Sequence, residues 1–239
     1  MLNLKTVLLK LSGPFQSWGT DSHFEIRHTD THPSKSGVIG MIAAGSGYRR
    51  DDDDKLKRLN ELYFAVRVDQ SGQILRDYQT AKKYKENGDF ERNYVTNRYY
   101  LQDAVFVAAL SSADDELINT VKTAVTKPYF QLYLGRRALP PTADLLLEIL
   151  DTDAITALSN YPWQASRWYR RKNSNRLAIF ADGALLENGS VRIRNDAAVS
   201  FSQSKGRSFD PRQEAKIFVD AVSPDDAEEH DAFEAIGED

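Results

Sequence analysis

Leu4-Lys5-Thr6-Val7-Leu8-Leu9-Lys10-Leu11 runs directly into Ser12-Gly13-Pro14-Phe15-Gln16-Ser17-Trp18-Gly19. The first eight residues read as a buried strand, and the Gly/Pro turn after them carries an amide and a large aromatic ring. Farther along, Pro33-Ser34-Lys35-Ser36-Gly37-Val38-Ile39-Gly40 opens a small-residue helix over residues 36–47. Such a turn sets Gln16 and Trp18 at a sheet edge. The helix start offers free backbone N–H groups and Lys35 at its positive end, an arrangement that suits anions. A polar amide, a stacking ring and an anion site together suit a phosphodiester backbone with bases. Nucleic-acid binding is the first expectation.

Working outward, Tyr63-Phe64-Ala65-Val66-Arg67-Val68 reads as a second strand and Ser71-Gly72 as a hairpin turn into residues 74–80. Residues 104–110 read as a third strand. Leu117, Ile118, Val121 and Val125 fall at helical spacing within residues 114–125, with Ser112 as candidate cap. Residues 145–150 can close the sheet. The order strand, helix, strand, strand, helix, strand predicts an α+β fold with an RRM/ferredoxin-like body over residues 1–150.

Two segments exceed that minimal body. Residues 81–100 carry Lys82, Lys83, Tyr84, Lys85, Arg92, Tyr94, Arg98, Tyr99 and Tyr100 around the turn signal Asn87-Gly88. They predict a protruding β-hairpin with basic and aromatic arms. Residues 151–219 predict short strands near 163–169, 177–180, 190–194, 198–202 and 215–219, forming a smaller C-terminal β domain. Residues 220–239 read as a solvated acidic tail.

That tail dominates the net charge of −4. It holds nine carboxylates and no Lys or Arg, so residues 1–219 carry 31 basic against 26 acidic groups, an excess of +5. Residues 117–143 and 154–181 contain cations and no carboxylate, which suits phosphate contact. The alternative is two solvated faces balanced by acids nearby in space. With no cysteine, disulfides, thiolate metal sites and a cysteine nucleophile are excluded. No apolar run reaches the ~20 residues of a membrane span, and no signal-peptide layout is present. A cytoplasmic protein without membrane contact and without cofactor is expected. Asp51 to Asp54 lack the alternation of a calcium loop and read as a solvated helix-end run.

Several stretches together carry a resemblance. They are residues 13–19, residues 33–40, Leu75-Arg76-Asp77-Tyr78-Gln79-Thr80, Tyr100-Leu101-Gln102-Asp103-Ala104 and Tyr133-Leu134-Gly135-Arg136-Arg137-Ala138-Leu139-Pro140-Pro141. In this order, over residues 4–145, the chain resembles the Cas-five family, in its type I-E CRISPR Cascade branch. The resemblance implies an RRM-like body whose hairpin is a thumb. It implies a non-catalytic subunit that grips the 5′ handle of the CRISPR RNA and caps a filament of the Cas-seven backbone subunit (CasC). The large subunit CasA would dock nearby, and target DNA would be contacted indirectly through the complex.

The candidate RNA-binding residues are Gln16, Trp18, Arg27, Lys35, Ser36, Lys82, Lys83, Lys85, Arg92, Arg98, Gly135, Arg136 and Arg137. Trp18 can stack on a base while Gln16 bonds its edge, although a lone Trp more often closes a core. Gly135 lets backbone approach a phosphate, and two adjacent arginines grip in two directions. Their alternative is pairing with Asp103 or Asp144. For Lys35 and Ser36, with Arg27 beside them, the alternative is ordinary capping by Ser34.

His23, His28 and His32 raise metal-independent RNA cleavage, which needs a base for the ribose 2′-OH and an acid for the leaving oxygen. Catalytic type I-C relatives resemble one another in using Tyr with an adjacent Lys and His. No Lys-His pair occurs here. An endoribonuclease that processes CRISPR repeat RNA and a pure protein scaffold remain the rival readings.

Overall fold

The computed structural model describes residues 4–19, 26–186, 190–204 and 206–223. His23 and most of the acidic tail lie outside them. In chain order the elements begin with β1 (Lys5–Ser12), β2 (Phe15–Gln16), β3 (Ile26–Arg27), α1 (Lys35–Gly45) and α2 (Asp53–Asn60). Then come β4 (Tyr63–Gln70), β5 (Gln73–Tyr84), β6 (Phe90–Gln102), β7 (Val105–Ser112) and α3 (Asp115–Thr126). The chain continues through β8 (Leu146–Leu150), α4 (Ala154–Asn160), α5 (Arg167–Arg170), β9 (Arg176–Asp182), β10 (Ser190–Ser200) and β11 (Ser208–Asp220).

Seven strands form one antiparallel sheet in the order β10-β11-β9-β4-β7-β1-β8. β1 and β7 are buried on both faces and read as nearly continuous apolar runs. On one face α1 and α3 pack against Leu9, Phe64, Phe106 and Leu110. On the other, α4 covers Leu8, Ala65, Val107 and Ile179. Ser34 caps α1, its Oγ accepting from the Gly37 N–H at 3.1 Å. The cap of α3 is Asp114, not Ser112. Its carboxylate accepts from the N–H groups of Glu116 and Leu117, while Ser112 Oγ accepts from the Asp114 N–H.

Three expectations need correction. The strands of residues 176–220 do not build a separate smaller β domain; β9 pairs with β4 and extends the large sheet. Residues 163–169 are not a strand. Their approach to α5 is held by a fully buried pair on β4, in which Arg67 forks onto Asp69 at 2.7 and 2.8 Å. Arg67 also donates to the carbonyls of Leu158, Tyr161 and Pro162, and Asp69 accepts from the Gln164 N–H. Within the segment, the Gln164 and Ser166 N–H groups likewise go to the side chains of Asp69 and Gln70 and not to a neighbouring strand.

The hairpin is longer than residues 81–100. β5 and β6 pair continuously from Gln73–Gln102 to Tyr84–Phe90, so residues 74–80 belong to its arm. β2 and β3 join β6, making a second, four-stranded sheet. Asp52 precedes α2, and Asp53 and Asp54 occupy its first turn, where carboxylates favour the helix dipole.

Candidate nucleic-acid interface

Residues 133–139 form a tight loop fastened to the turn after β1. Leu134 N–H donates to the Leu139 carbonyl at 2.7 Å, and Ser17 N–H donates to the Leu134 carbonyl at 3.1 Å. Gly135 sits at φ +89°, and a Cβ there would lie 1.6 Å from the Ser17 carbonyl oxygen. The glycine is therefore required by the protein's own backbone. A phosphate is not needed to explain it.

Arg136 leaves this loop and lies over the Tyr100 ring, 4.4 Å from its centroid. Its Nη2 donates to the Arg27 carbonyl at 3.0 Å, whereas its Nη1 is buried without a partner among the described residues. Arg27 is opposite Arg98 in the β3–β6 pairing, and Arg98 Nε is likewise buried and unpartnered. Two guanidinium N–H donors at the base of the hairpin thus have no acceptor among the described residues. An orphaned buried donor costs about 1–3 kcal/mol, more when charged, and an anionic oxygen is the acceptor that suits both. Arg137 is exposed and has no ion pair among the described residues. Neither alternative carboxylate takes these arginines: Asp144 accepts from Lys10 at 2.6 Å, and Asp103 from the Gln102 amide.

From this base the hairpin carries an alternating row. Arg92, Tyr94, Arg98 and Tyr100 share one face of β6 by the two-residue period. Arg92 lies 4.3 Å from the Tyr94 ring centroid, repeating the Arg136–Tyr100 arrangement. His28 stacks on Tyr99 at 5.2 Å. Lys82 and Lys85 are exposed, while Lys83 is paired with Glu91 at 2.9 Å. Tyr94 was expected to contact RNA alongside its basic neighbours; the Tyr99 and Tyr100 platforms were not among the expected site residues. Their signal was the spacing of Tyr94 and Tyr100 against Arg92 and Arg98.

Four expected residues do not belong to this surface. Gln16 is 0% exposed and Trp18 2%. The Gln16 amide donates to the Leu11 carbonyl at 3.0 Å and the Ala104 carbonyl at 2.7 Å, and its oxygen accepts from Trp18 Nε1 at 2.9 Å. Both amide donors tie the end of β1 to the residue before β7, and both side chains are buried, so neither can meet a base. Lys35 is buried, with Nζ donating to Asp182 at 3.0 Å. Its backbone N–H donates to Asp196 at 2.9 Å, so the chain's own carboxylate already occupies the helix N-terminus. Ser36 is half-buried, 3.4 Å from the capping Ser34 hydroxyl.

Asp196 belongs to a buried ion network that no local sequence pattern encodes. Arg212 contacts Asp196, Asp182 and Glu214, and Arg194 contacts Asp30 and Glu214. His32 lies inside it, stacked on Phe180 at 3.8 Å, with Arg194 Nη1 donating to its Nε2 at 2.8 Å. Burial, reinforced by Arg194, holds the His32 pKa below the ordinary histidine value. Burial alone pushes the Glu214 carboxyl up, but the charge of Arg194 and the hydrogen bond from Arg192 outweigh it and hold the group well below the usual range. His32 is thus a sequestered neutral ring.

The family described as CRISPR-associated protein (Cas_Cas5) matches residues 6–219. The chain is 36% identical over 170 residues to the CRISPR system Cascade subunit CasD of Escherichia coli (strain K12), covering 65% of this chain and 76% of that protein. A chain from the solved structure of a CRISPR RNA-guided surveillance complex superposes with a TM-score of 0.75 at 33% identity, covering 90% of each chain. A chain from a crystal structure of a Cas protein superposes with a TM-score of 0.67 at 28% identity, covering 92% of this chain and 100% of that one.

Proposed function

Because the chain belongs to the Cas-five family of CRISPR-associated proteins, we propose that it is a non-catalytic RNA-binding subunit of a type I-E Cascade complex in antiviral defence. In this reading it grips the 5′ handle of the CRISPR RNA and caps the CasC backbone filament. CasA docks nearby, and target DNA is met through the assembled complex. The order β4-β7-β1-β8, with α1 and α3 on one face, supports a ferredoxin-like body. The β5–β6 hairpin supports the thumb. In RNA-guided systems base pairing reads sequence while protein tracks backbone and shape, which suits a site built from arginines and rings.

One observation carries the proposal: the unpartnered guanidinium donors of Arg98 and Arg136 beside the exposed Arg137. A non-catalytic role is favoured by the sequestration of His32 and by the stacking of His28 on Tyr99. The test is Arg136→Ala with Arg137→Ala, titrated against handle RNA across a salt series. Loss of two phosphate contacts lowers the slope of log affinity against log salt by about 1.4 for a single strand. A lower melting temperature with an unchanged slope would make the loop structural and overturn the reading. Site-specific cleavage of repeat RNA by the purified chain would overturn the non-catalytic part.

A further inference from the structure

A second surface, apart from the loop and the hairpin row, combines open aromatic area with unpaired cations. On β9 and β11 the pairs Phe180–Lys216 and Ala178–Phe218 are successive same-face rungs, two residues apart along each strand. Phe218 is 52% exposed although β11 is an interior strand of the sheet. Beside it opens a cleft of about 380 Å³ lined by Val68, Tyr169, Ser174, Arg176, Phe180 and Phe218. Ligand pockets run from roughly 300 to 1,000 Å³ and are mostly apolar with a few placed polar groups, and this cleft has that make-up.

The cations around the rings decide the class of ligand. The Arg176 guanidinium lies 5.3 Å from the Phe218 centroid, and Lys216 Nζ lies 4.7 Å from Phe218 and 5.3 Å from Phe180. Neither cation has an ion pair among the described residues, although Asp220 is the cross-strand neighbour of Arg176. Arg171 and Lys172 extend the exposed positive edge, and Trp168 beside them is 56% exposed. No carboxylate occurs in residues 154–181. An apolar partner would have to desolvate these cations without compensation. A base with flanking phosphates satisfies ring and charges together.

We propose that this cleft binds one nucleobase of a single-stranded nucleic acid, stacked on Phe218, with the flanking phosphates on Arg176 and Lys216. The strand is either a segment of guide RNA or single-stranded DNA. The site stands independently of the loop around Arg136.

The purified full chain is irradiated with 12-mer RNA and DNA strands carrying 5-iodouracil, and crosslinked peptides are mapped. Affinity for the same strands is measured for Phe218→Leu and for Arg176→Gln with Lys216→Gln. Both sets are made in the wild-type chain and in the Arg136→Ala, Arg137→Ala background. Crosslinks are expected on the peptide containing Phe218, from RNA alone for a guide segment and from DNA for a target or displaced strand. Phe218→Leu should weaken binding about fivefold to 100-fold in both backgrounds. The double cation variant should lower the salt slope by about 1.4.

Affinity within twofold of the parent for both variant sets, or crosslinks confined to residues 133–139, would overturn the cleft. So would a polyglutamate chain that binds this face as tightly as the nucleic acid. A cleft effect alongside an unaffected loop variant would sink the loop reading and leave this one standing. Phe218 is more than half exposed, Arg176 is exposed and Lys216 is half-buried, so the variants should fold.

Discussion

Gly135 and Gly88 form a matched pair. They have nearly the same backbone angle, φ +89° and +87°, but opposite surroundings. At Gly88, the tip of the hairpin, an added Cβ meets nothing within 4 Å. At Gly135 it would lie 1.6 Å from the Ser17 carbonyl oxygen, about 1.8 Å short of an ordinary 3.4 Å contact. Both alanine variants carry the left-handed penalty of about 1–2 kcal/mol. Gly135→Ala must also move the loop off Ser17, breaking the hydrogen bond from Ser17 N–H to the Leu134 carbonyl and loosening Leu134 and Leu139 from the core. Those losses add roughly 2 kcal/mol or more. At about 2–4 °C per kcal/mol for a chain of this size, Gly88→Ala should melt about 2–8 °C below the parent. Gly135→Ala should melt a further 4–8 °C lower. Thermal melts by circular dichroism with urea titrations measure the difference, and RNA titrations at fixed salt follow the arginines. Gly135→Ala should also weaken RNA binding, because Arg136 leaves Tyr100 with the loop. Melting of the two variants within 2 °C of each other would refute the argument that backbone packing demands this glycine.

Three further outcomes follow from the same geometry. Replacing residues 80–95 with a short Gly/Ser turn keeps Asn97 and Arg98 for β3 and removes mostly exposed residues. The melt should stay within about 2 °C, while assembly or target binding by the complex is impaired; normal target binding would sink the thumb. Gln16→Leu strands the Leu11 and Ala104 carbonyls and Trp18 Nε1. It should cost about 3 kcal/mol in urea denaturation with no change in the RNA salt slope, and a changed slope would return Gln16 to the RNA surface. His32 and Glu214 both bind protons more weakly folded than unfolded. The unfolded chain therefore takes up more protons, and stability falls on acidification, first below the usual histidine value of 6.5 and further below the glutamate value of 4.5. His32→Gln should flatten the upper part of that profile, and an unaltered profile would refute the linkage.

Local chemistry was legible in the sequence and long-range placement was not. The six elements around residues 7–11, 36–47, 63–68, 104–110, 114–125 and 145–150 were readable because their apolar periods and Gly/Pro punctuation act over a few residues. Asn87-Gly88 marked the hairpin tip for the same reason. The pairing of β9 with β4 joins residues more than a hundred positions apart, and no local pattern encodes it. Gln16 misled because its partners, the Leu11 and Ala104 carbonyls, become neighbours only after β1 and β7 align. Lys35 misled likewise. A helix N-terminus is an anion site only while no carboxylate of the chain reaches it, and Asp196 arrives from the far end of the sheet.

The same network sorts the charges that remain. Four anions, Asp30, Asp182, Asp196 and Glu214, meet the four cations Lys35, Arg192, Arg194 and Arg212. The cluster is neutral, so the excess of +5 in residues 1–219 falls on side chains outside it. Among those, Arg67 is neutralised by Asp69, Lys10 by Asp144, and Arg58 by Asp114 and Glu116. Of the cations with no ion pair among the described residues, Arg137 lies on the loop, Lys82 and Lys85 on the hairpin, and Arg171, Lys172, Arg176 and Lys216 around the cleft, while Lys57, Lys122 and Lys127 lie on or beside α2 and α3. Exposed ion pairs contribute little to stability, whereas unpaired cations that meet phosphates release counterions and set the salt dependence of binding. On the proposed RNA-binding reading, stability and RNA affinity therefore rest on separate sets of charges, and the two should be alterable one at a time.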